Sequence, residues 1–228
     1  MHHRYLEIAS TPSVRAARER YGSAAQWARA EEGYAEEAVR NARLGPAEWQ
    51  FIGERDGFYI ASVSETDWPY VQFRGGPAGF LRVVDGGTLG YADLRGNRQY
   101  LTVGNVQAND RVSLFLMDYA RRRRLKIFGR MRVVDARDDP ALTARLAVPG
   151  YGGHVERAVL IDVEAFDWNC PQHITPRFTQ AELEEALSPV RAELAALRAD
   201  NERLRRELHA NGQGATSLSG TSAGDRQG

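Results

Sequence analysis

From residue 57 to residue 168 the chain alternates apolar and polar residues with a period of two, in runs broken by glycine, aspartate and asparagine. No other feature constrains the fold so tightly. The runs "GFYIASVS", "PYVQFR", "GFLRVVD", "TLGYADL", "RVSLFLMDY", "RLKIFGRMRVVD" and "VERAVLIDVEAFDW" read as strands. Successive side chains of an extended chain face opposite sides, and here one side is apolar. Connections as short as "DGG" favour antiparallel neighbours over alternating strand and helix units. Six or seven such strands predict a mainly β, α+β fold built on an antiparallel barrel or sandwich. "RGNRQYLTVGNV" and "DPALTARLAV" interrupt the strands as expected helices, and no internal repeat is present.

Helical signals precede the strands. Thr11 and Pro12 stand as N-cap and first helical residue of "TPSVRAARERYG", with Gly22 closing it. Ser23 and Gln26 have capping-box spacing at the start of the next segment, and Pro46 opens "PAEWQFIGER". Trp27, Trp49, Phe51 and Ile52 give these helices apolar surface to bury against the sheet. The division this predicts is a helical segment over 1–45 and a barrel over 46–178.

After Trp168 the two prolines of "NCPQHITPRFT" predict an extended segment. Thr179 and Glu182 then form a capping box for a short helix ending near Leu187, and Ser188–Pro189 restart the chain as N-cap and first residue of another. The second helix repeats apolar residues at alternating spacings of three and four. Leu194, Asn201 and Leu208 fall at a positions of a heptad; Val190, Leu197 and Leu204 fall at d. Glu193 and Asp200 occupy g, while Arg198 and Arg205 occupy the following e positions. A lone Asn at a fixes register in parallel two-stranded coiled coils, and the g–e′ charges oppose in sign. The expectation is parallel self-association through 189–210, within a dimerisation segment spanning 179–210. Residues 211–228, rich in Gly, Ser, Gln and Thr, are expected to be disordered.

Composition excludes several classes. Thirty Lys and Arg balance thirty Asp and Glu, so no overall field favours nucleic acid or acidic membranes. "RRRR" at 121–124 falls between two strands and reads as a solvated turn. No run approaches the ~18 apolar residues of a membrane span, and the start lacks an apolar leader, so a cytoplasmic location is expected. Cys170 is the sole cysteine and reads as a packed thiol. Cys170 and His173 have C-x-x-H spacing, but two ligands do not make a zinc site, and no metal is expected. Only Lys126 among the thirty cations is a lysine. A coding bias toward arginine explains much of that, yet Arg74, Arg82, Arg95 and Arg98 crowd among glycines and short strands, where guanidinium groups suit an anion.

The stretch "WPYVQFRGGPAGFLRVVDGGTLGYADLRGNRQYLTVGNVQANDRVSLFLMDYARRRRLKIFGRMRVV" resembles the pyridoxamine-5'-phosphate oxidase family of FMN-binding split barrels, over roughly residues 46–178. The resemblance implies a homodimer with the flavin between subunits. It puts Tyr91, Ala92 and Asp93 along the flavin and Asn97 and Arg98 at its phosphate, with Asn97 in place of the more usual arginine. Arg82 matches a lysine near the ring and substrate. Arg124 stands where the family has a glutamine at the ring, and Gln72, Phe73 and Arg74 align with a shorter loop. Gln172, His173 and Arg177 are expected to meet the flavin from the partner subunit. The oxidases' Arg-x-His ending is replaced by "DWNCPQHITPR", which is similar to that of a separate, poorly characterised branch, so the oxidase's substrate does not carry over.

What the resemblance implies is an FMN-dependent oxidoreductase acting on a small molecule by hydride transfer at N5. Arg98 and Arg74 would meet the phosphate, and Arg82 or Arg124 the negative charge that reduced flavin places near N1. A non-catalytic flavin-binding or sensing protein is the alternative, as is a barrel holding deazaflavin or haem. Haem would need an axial ligand, for which the sequence offers His154 or His173.

Overall fold

The computed structural model describes residues 3–32, 41–169 and 171–217. The chain divides into two compact units, Met1–Pro176 and Arg177–Gly228.

Seven strands form one antiparallel sheet: β1 (Gly57–Val63), β2 (Pro69–Gly75), β3 (Arg82–Asp85), β4 (Thr88–Leu94), β5 (Arg111–Asp118), β6 (Arg123–Asp135) and β7 (Val155–Trp168). All seven strand expectations are met. Their order in the sheet is β2-β1-β5-β6-β7-β4-β3. The long strands β6 and β7 pair along nearly their whole length, and β5 and β4 then flank opposite ends of that pair. This offset lets the sheet curl into a split barrel. The β6–β7 register shifts at Phe128/Gly129, a bulge that increases local twist. Gly129 is required there: a Cβ would lie 2.7 Å from Ile161 Cγ2 and 2.8 Å from the Asp162 carbonyl oxygen.

Alternation decides the core. Along β5, Val112, Leu114, Leu116 and Asp118 are buried while the residues between them are half-exposed. Phe58 and Ile60 of β1, Leu125 and Ile127 of β6, and Val159 and Ile161 of β7 meet them inside. Helix α4 (Pro46–Gly53) plugs the interior with Phe51 and Ile52, and Phe51 sits edge-on to Trp168 at 4.7 Å. Outside β4 and β7, helix α6 (Pro140–Leu146) packs Leu146 over Ala158 and Leu160.

Helix α1 (Arg4–Ala9) was not evident from sequence; its Tyr5 stacks on Phe128 at 4.5 Å, under Lys126. Helix α2 (Pro12–Arg20) starts at the expected Thr11 cap, whose Oγ1 accepts the Val14 N–H, and stops before Gly22 at φ +74°. Helix α3 spans Ala24–Glu32. Helix α5 is shorter than expected, covering Leu101–Ala108 only. Arg98 and Tyr100 adopt left-handed φ values of +62° and +54°, so residues 95–100 form a loop.

The second unit corrects a further expectation. Helix α7 runs unbroken over Gln180–Ser217, with Pro189 inside it rather than at a fresh start. A proline deprives the helix of one hydrogen bond, but strong helix formers on both sides carry it through. The helix also continues through residues 211–217, which were expected to be disordered; residues 218–228 lie outside the described residues, as does Cys170. The Thr179–Glu182 capping box is present: Glu182 Oε2 accepts the Thr179 N–H at 2.8 Å and Thr179 Oγ1 accepts the Glu182 N–H at 3.2 Å. Among the described residues no helix is long and apolar enough to cross a membrane.

Candidate functional site

The barrel's split lies between β2 and β4, which do not pair with each other. Two adjoining clefts of about 180 and 230 Å³ open there and share Arg74, Asp93 and Leu94. Together they fall within the ~300–1,000 Å³ typical of small-molecule pockets.

The first cleft has apolar and polar walls. Phe73, Phe80, Leu146, Val148 and Tyr151 line it, with Tyr91, Ala92 and Asp93 along one side. Among the described residues, two buried polar atoms of its lining make no hydrogen bond: Tyr91 Oη and Arg74 Nε. Burial pushes the Tyr91 hydroxyl up to about 12, against the lowering influence of the nearby Arg74 guanidinium, so Tyr91 is a neutral donor at physiological pH. A buried donor without a partner is costly and marks a place where a ligand atom can be met.

The second cleft is cationic. Gln72 and Arg74 reach it from β2, Asp93 from β4, Asn97 and Arg98 from the loop, and Glu156 and Arg157 from β7. Arg157 binds Asp93 at 2.8 Å and Glu156 at 2.7 Å; Arg95 adds a contact to Glu156 at 3.0 Å, and Arg74 Nε stands 3.8 Å from Asp93. Three arginines thus meet two carboxylates, and with Arg98 beside them positive charge remains. Burial alone would raise the Glu156 pKa, but hydrogen bonds from Arg95 and Tyr100 and the Arg157 charge lower it on balance. Arg98 donates to the Tyr100 hydroxyl at 3.3 Å and forms no ion pair among the described residues.

Backbone geometry adds to this field. Helix α5 begins after Tyr100 without a side-chain cap, and its Leu101 and Val103 line the cleft. An uncapped helix start presents N–H groups and positive dipole to an anion. The left-handed φ values at Arg98 and Tyr100 cost ~1–3 kcal/mol each and persist because contacts around the loop hold them. Tyr100 is further fixed by donating to Glu156 at 3.2 Å and lying under the Arg157 guanidinium at 4.8 Å. Asn97 accepts the Gln99 N–H at 3.1 Å, and Thr102 donates to Gln72 Oε1 at 2.9 Å, joining α5 to β2.

The structure therefore brings together Gln72, Arg74, Tyr91, Ala92, Asp93, Asn97 and Arg98. Arg82 stands one step away, donating to the carbonyl of Ala147, which lines the first cleft. Arg124, the second residue of β6, pairs with Met117 and lines neither cleft; its guanidinium lies 6.0 Å from the Phe115 ring. Gln172 and His173 are exposed beyond β7 and also line neither cleft, while Arg177 belongs to the second unit. Sequence reasoning missed Tyr100, Glu156 and Arg157. The available signal was the charged pair Glu156–Arg157 directly ahead of the apolar run Ala158–Ile161. Among the described residues no three His, Cys, Asp or Glu side chains gather as metal ligands.

An antiparallel split barrel with a two-part, arginine-lined cleft defines a class of protein, and sequence comparison identifies which. Residues 44–168, over half of the chain, match the family described as pyridoxamine 5'-phosphate oxidase, and the chain belongs to that family. No curated protein matches the sequence. Among solved structures, HupZ of Group A Streptococcus aligns at 16% identity and TM-score 0.45, covering 59% of this chain and 99% of its own. A putative pyridoxamine 5'-phosphate oxidase from Lactobacillus delbrueckii aligns at 18% and 0.43, covering 55% and 93%. An FMN-binding protein from Syntrophomonas wolfei aligns at 8% and 0.39, covering 53% and 81%.

Proposed function

We propose that the chain is an FMN-dependent oxidoreductase that acts on a small molecule, working as a homodimer with one flavin at each subunit interface. The observation that carries this reading is the pairing of the clefts. A partly apolar slot with two unsatisfied polar atoms adjoins a cationic cradle at an uncapped helix start. A ligand with a planar heteroaromatic head and a phosphate tail spans both. Bound FMN would supply hydride transfer at N5.

The protein's own part is to bind and orient. Arg98, Arg74 and the N–H groups opening α5 hold the phosphate dianion, and Arg157 keeps Asp93 and Glu156 from repelling it. Tyr91 donates a hydrogen bond from the slot's wall. Phe73, Phe80 and Tyr151 exclude water from the ring, which strengthens each polar contact there. Arg82 lies close enough, through its hold on Ala147, to shape the slot's floor.

Exposed apolar surface beside the clefts supports the homodimer. Next to the clefts, Val71 and Phe73 of the edge strand β2 are 61% and 56% exposed and Trp68 just before it is 74% exposed, a surface that a second copy would cover. Gln172 and His173, exposed beyond β7, then reach the flavin from the other subunit, as expected from the sequence.

The test is the visible spectrum of freshly purified protein with the released ligand identified by mass, followed by FMN titration. Flavin bands with the monophosphate released are expected. Arg74→Ala should weaken FMN by about 1.5–3 kcal/mol, and Arg98→Ala should weaken it roughly tenfold or more. Unchanged affinity in both variants would remove the phosphate cradle from the proposal. Haem or deazaflavin bands would keep the cleft and replace the cofactor, and a colourless protein that ignores added FMN would end the flavin reading. Turnover with an electron donor separates an enzyme from a passive flavin binder.

A further inference from the structure

Helix α7 carries apolar side chains from Leu183 to Leu208 that are 43–72% exposed. They follow one another at spacings of four, three, four, three and four, interrupted only by Asn201. The seam is two residues wide, as a coiled coil requires, and lacks the broader apolar face of a helix packed on a sheet. At 38 residues the helix is about 57 Å long.

The flanking charges choose the occupant. With Leu194 at a, the e positions hold Arg191, Arg198 and Arg205, and the g positions hold Glu193, Asp200 and Glu207. Over these heptads one flank is wholly cationic and the other wholly anionic. Two parallel copies set Glu193 against Arg198 and Asp200 against Arg205 of the second copy. Two antiparallel copies would set anions against anions and arginines against arginines. Within one helix Asp200 already meets Arg203 at 3.0 Å, but both are well exposed and such contacts exchange at little cost. Asn201 makes the same choice, since only a parallel, in-register pair brings it opposite its own copy.

We propose that α7 pairs with α7 of a second copy as a parallel, in-register, two-stranded coiled coil running from Leu183 to Leu208. This stands apart from the flavin reading, and its test uses no cofactor. In the full chain with Cys170→Ser, single cysteines are placed at two d positions, Val190→Cys and Leu204→Cys, and at two outward f positions, Ala192→Cys and Ala199→Cys. Under mild oxidation both d variants should give interchain disulfides roughly tenfold faster than the f variants, because only they bring paired Cβ atoms within bonding reach. Equal rates at all four sites, or cross-linking at only one d site, would overturn the parallel pairing.

A second measurement guards against a seam disrupted by cysteine. Chains with no added cysteine that carry Glu193→Arg with Asp200→Arg should show weakened concentration-dependent helical melting alone, as should chains carrying Arg198→Glu with Arg205→Glu. Mixed in equal amounts, they should regain the higher melting midpoint. A mixture that melts no higher than either set alone would refute the charge assignment.

Discussion

Leucine behaves oppositely in the two units. In the barrel, Leu89, Leu114, Leu116 and Leu125 are wholly buried; in α7, Leu194, Leu197 and Leu204 are 45–59% exposed. The residue is the same and the period differs. A period of two on a curling sheet brings its own inner faces together, so one chain completes its core. A period of three and a half on a single helix has no inner face until another helix arrives. The comparison teaches that apolar content does not reveal whether a region finishes its own fold; the spacing does.

The largest effect that tests this contrast comes from cutting one leucine in each unit. Leu114→Ala should cost the barrel about 2–5 kcal/mol in urea unfolding followed by tryptophan fluorescence, since buried leucine loses both transfer energy and packing. Leu197→Ala should leave that transition within about 0.5 kcal/mol, as exposed substitutions do. It should instead make the far-ultraviolet helical signal more dependent on protein concentration. If Leu197→Ala unfolds the barrel as readily as Leu114→Ala, the two units are not separate in the way their leucines suggest.

A smaller effect distinguishes how the units use charge. The inward row of β5 ends in Asp118, whose carboxylate accepts the Arg121 N–H at 2.9 Å and meets Arg55 at 3.3 Å and Arg121 at 3.2 Å. Burial pushes its pKa up, but the Arg121 amide and the two guanidinium groups more than offset this, so it titrates below the ordinary value. A depressed carboxylate stabilises the fold above its unfolded pKa of ~3.9, and that stability is lost as pH falls through the lower folded value. Asp118→Asn should therefore cost about 1.5–3 kcal/mol at pH 7 and flatten the acid limb of stability against pH. The Asp200–Arg203 pair on α7 is exposed on both sides, and Asp200→Asn should change barrel unfolding by less than about 0.5 kcal/mol. An acid limb unchanged in Asp118→Asn would show that other carboxylates set it.

Legibility followed the same physics. All seven strands could be read because alternation is a local signal, and the α2 and α7 caps because Thr11 and Thr179 carry their own hydrogen bonds. Helix α1 escaped because six residues hold too little periodicity. Pro189 misled because its local penalty was outweighed by helix formers beyond it. The loop before α5 was misread as helix because its left-handed positions are Arg98 and Tyr100, and neither residue type advertises that conformation as glycine does. In the site, family resemblance brought forward the β2, β4 and loop residues. Glu156 and Arg157 stayed hidden, since only the pairing of β7 with β4 sets Arg157 opposite Asp93.

The finest test of the contrast replaces one polar atom group in the helix. Asn201 interrupts an otherwise apolar seam, and a buried asparagine gives up stability for a defined register and number of strands. Asn201→Leu should raise the midpoint of the helix's concentration-dependent melting, followed by far-ultraviolet circular dichroism, and should admit higher assemblies in sedimentation. The barrel's urea midpoint should stay where it was. The concentration dependence is what matters: on a lone helix the change would add only the few tenths of a kcal/mol by which leucine exceeds asparagine in helix propensity, at every protein concentration alike. A rise in midpoint with mixed oligomers means the seam is filled by other copies of itself, and an unchanged melt means that Leu194, Leu197 and Leu204 remain in water.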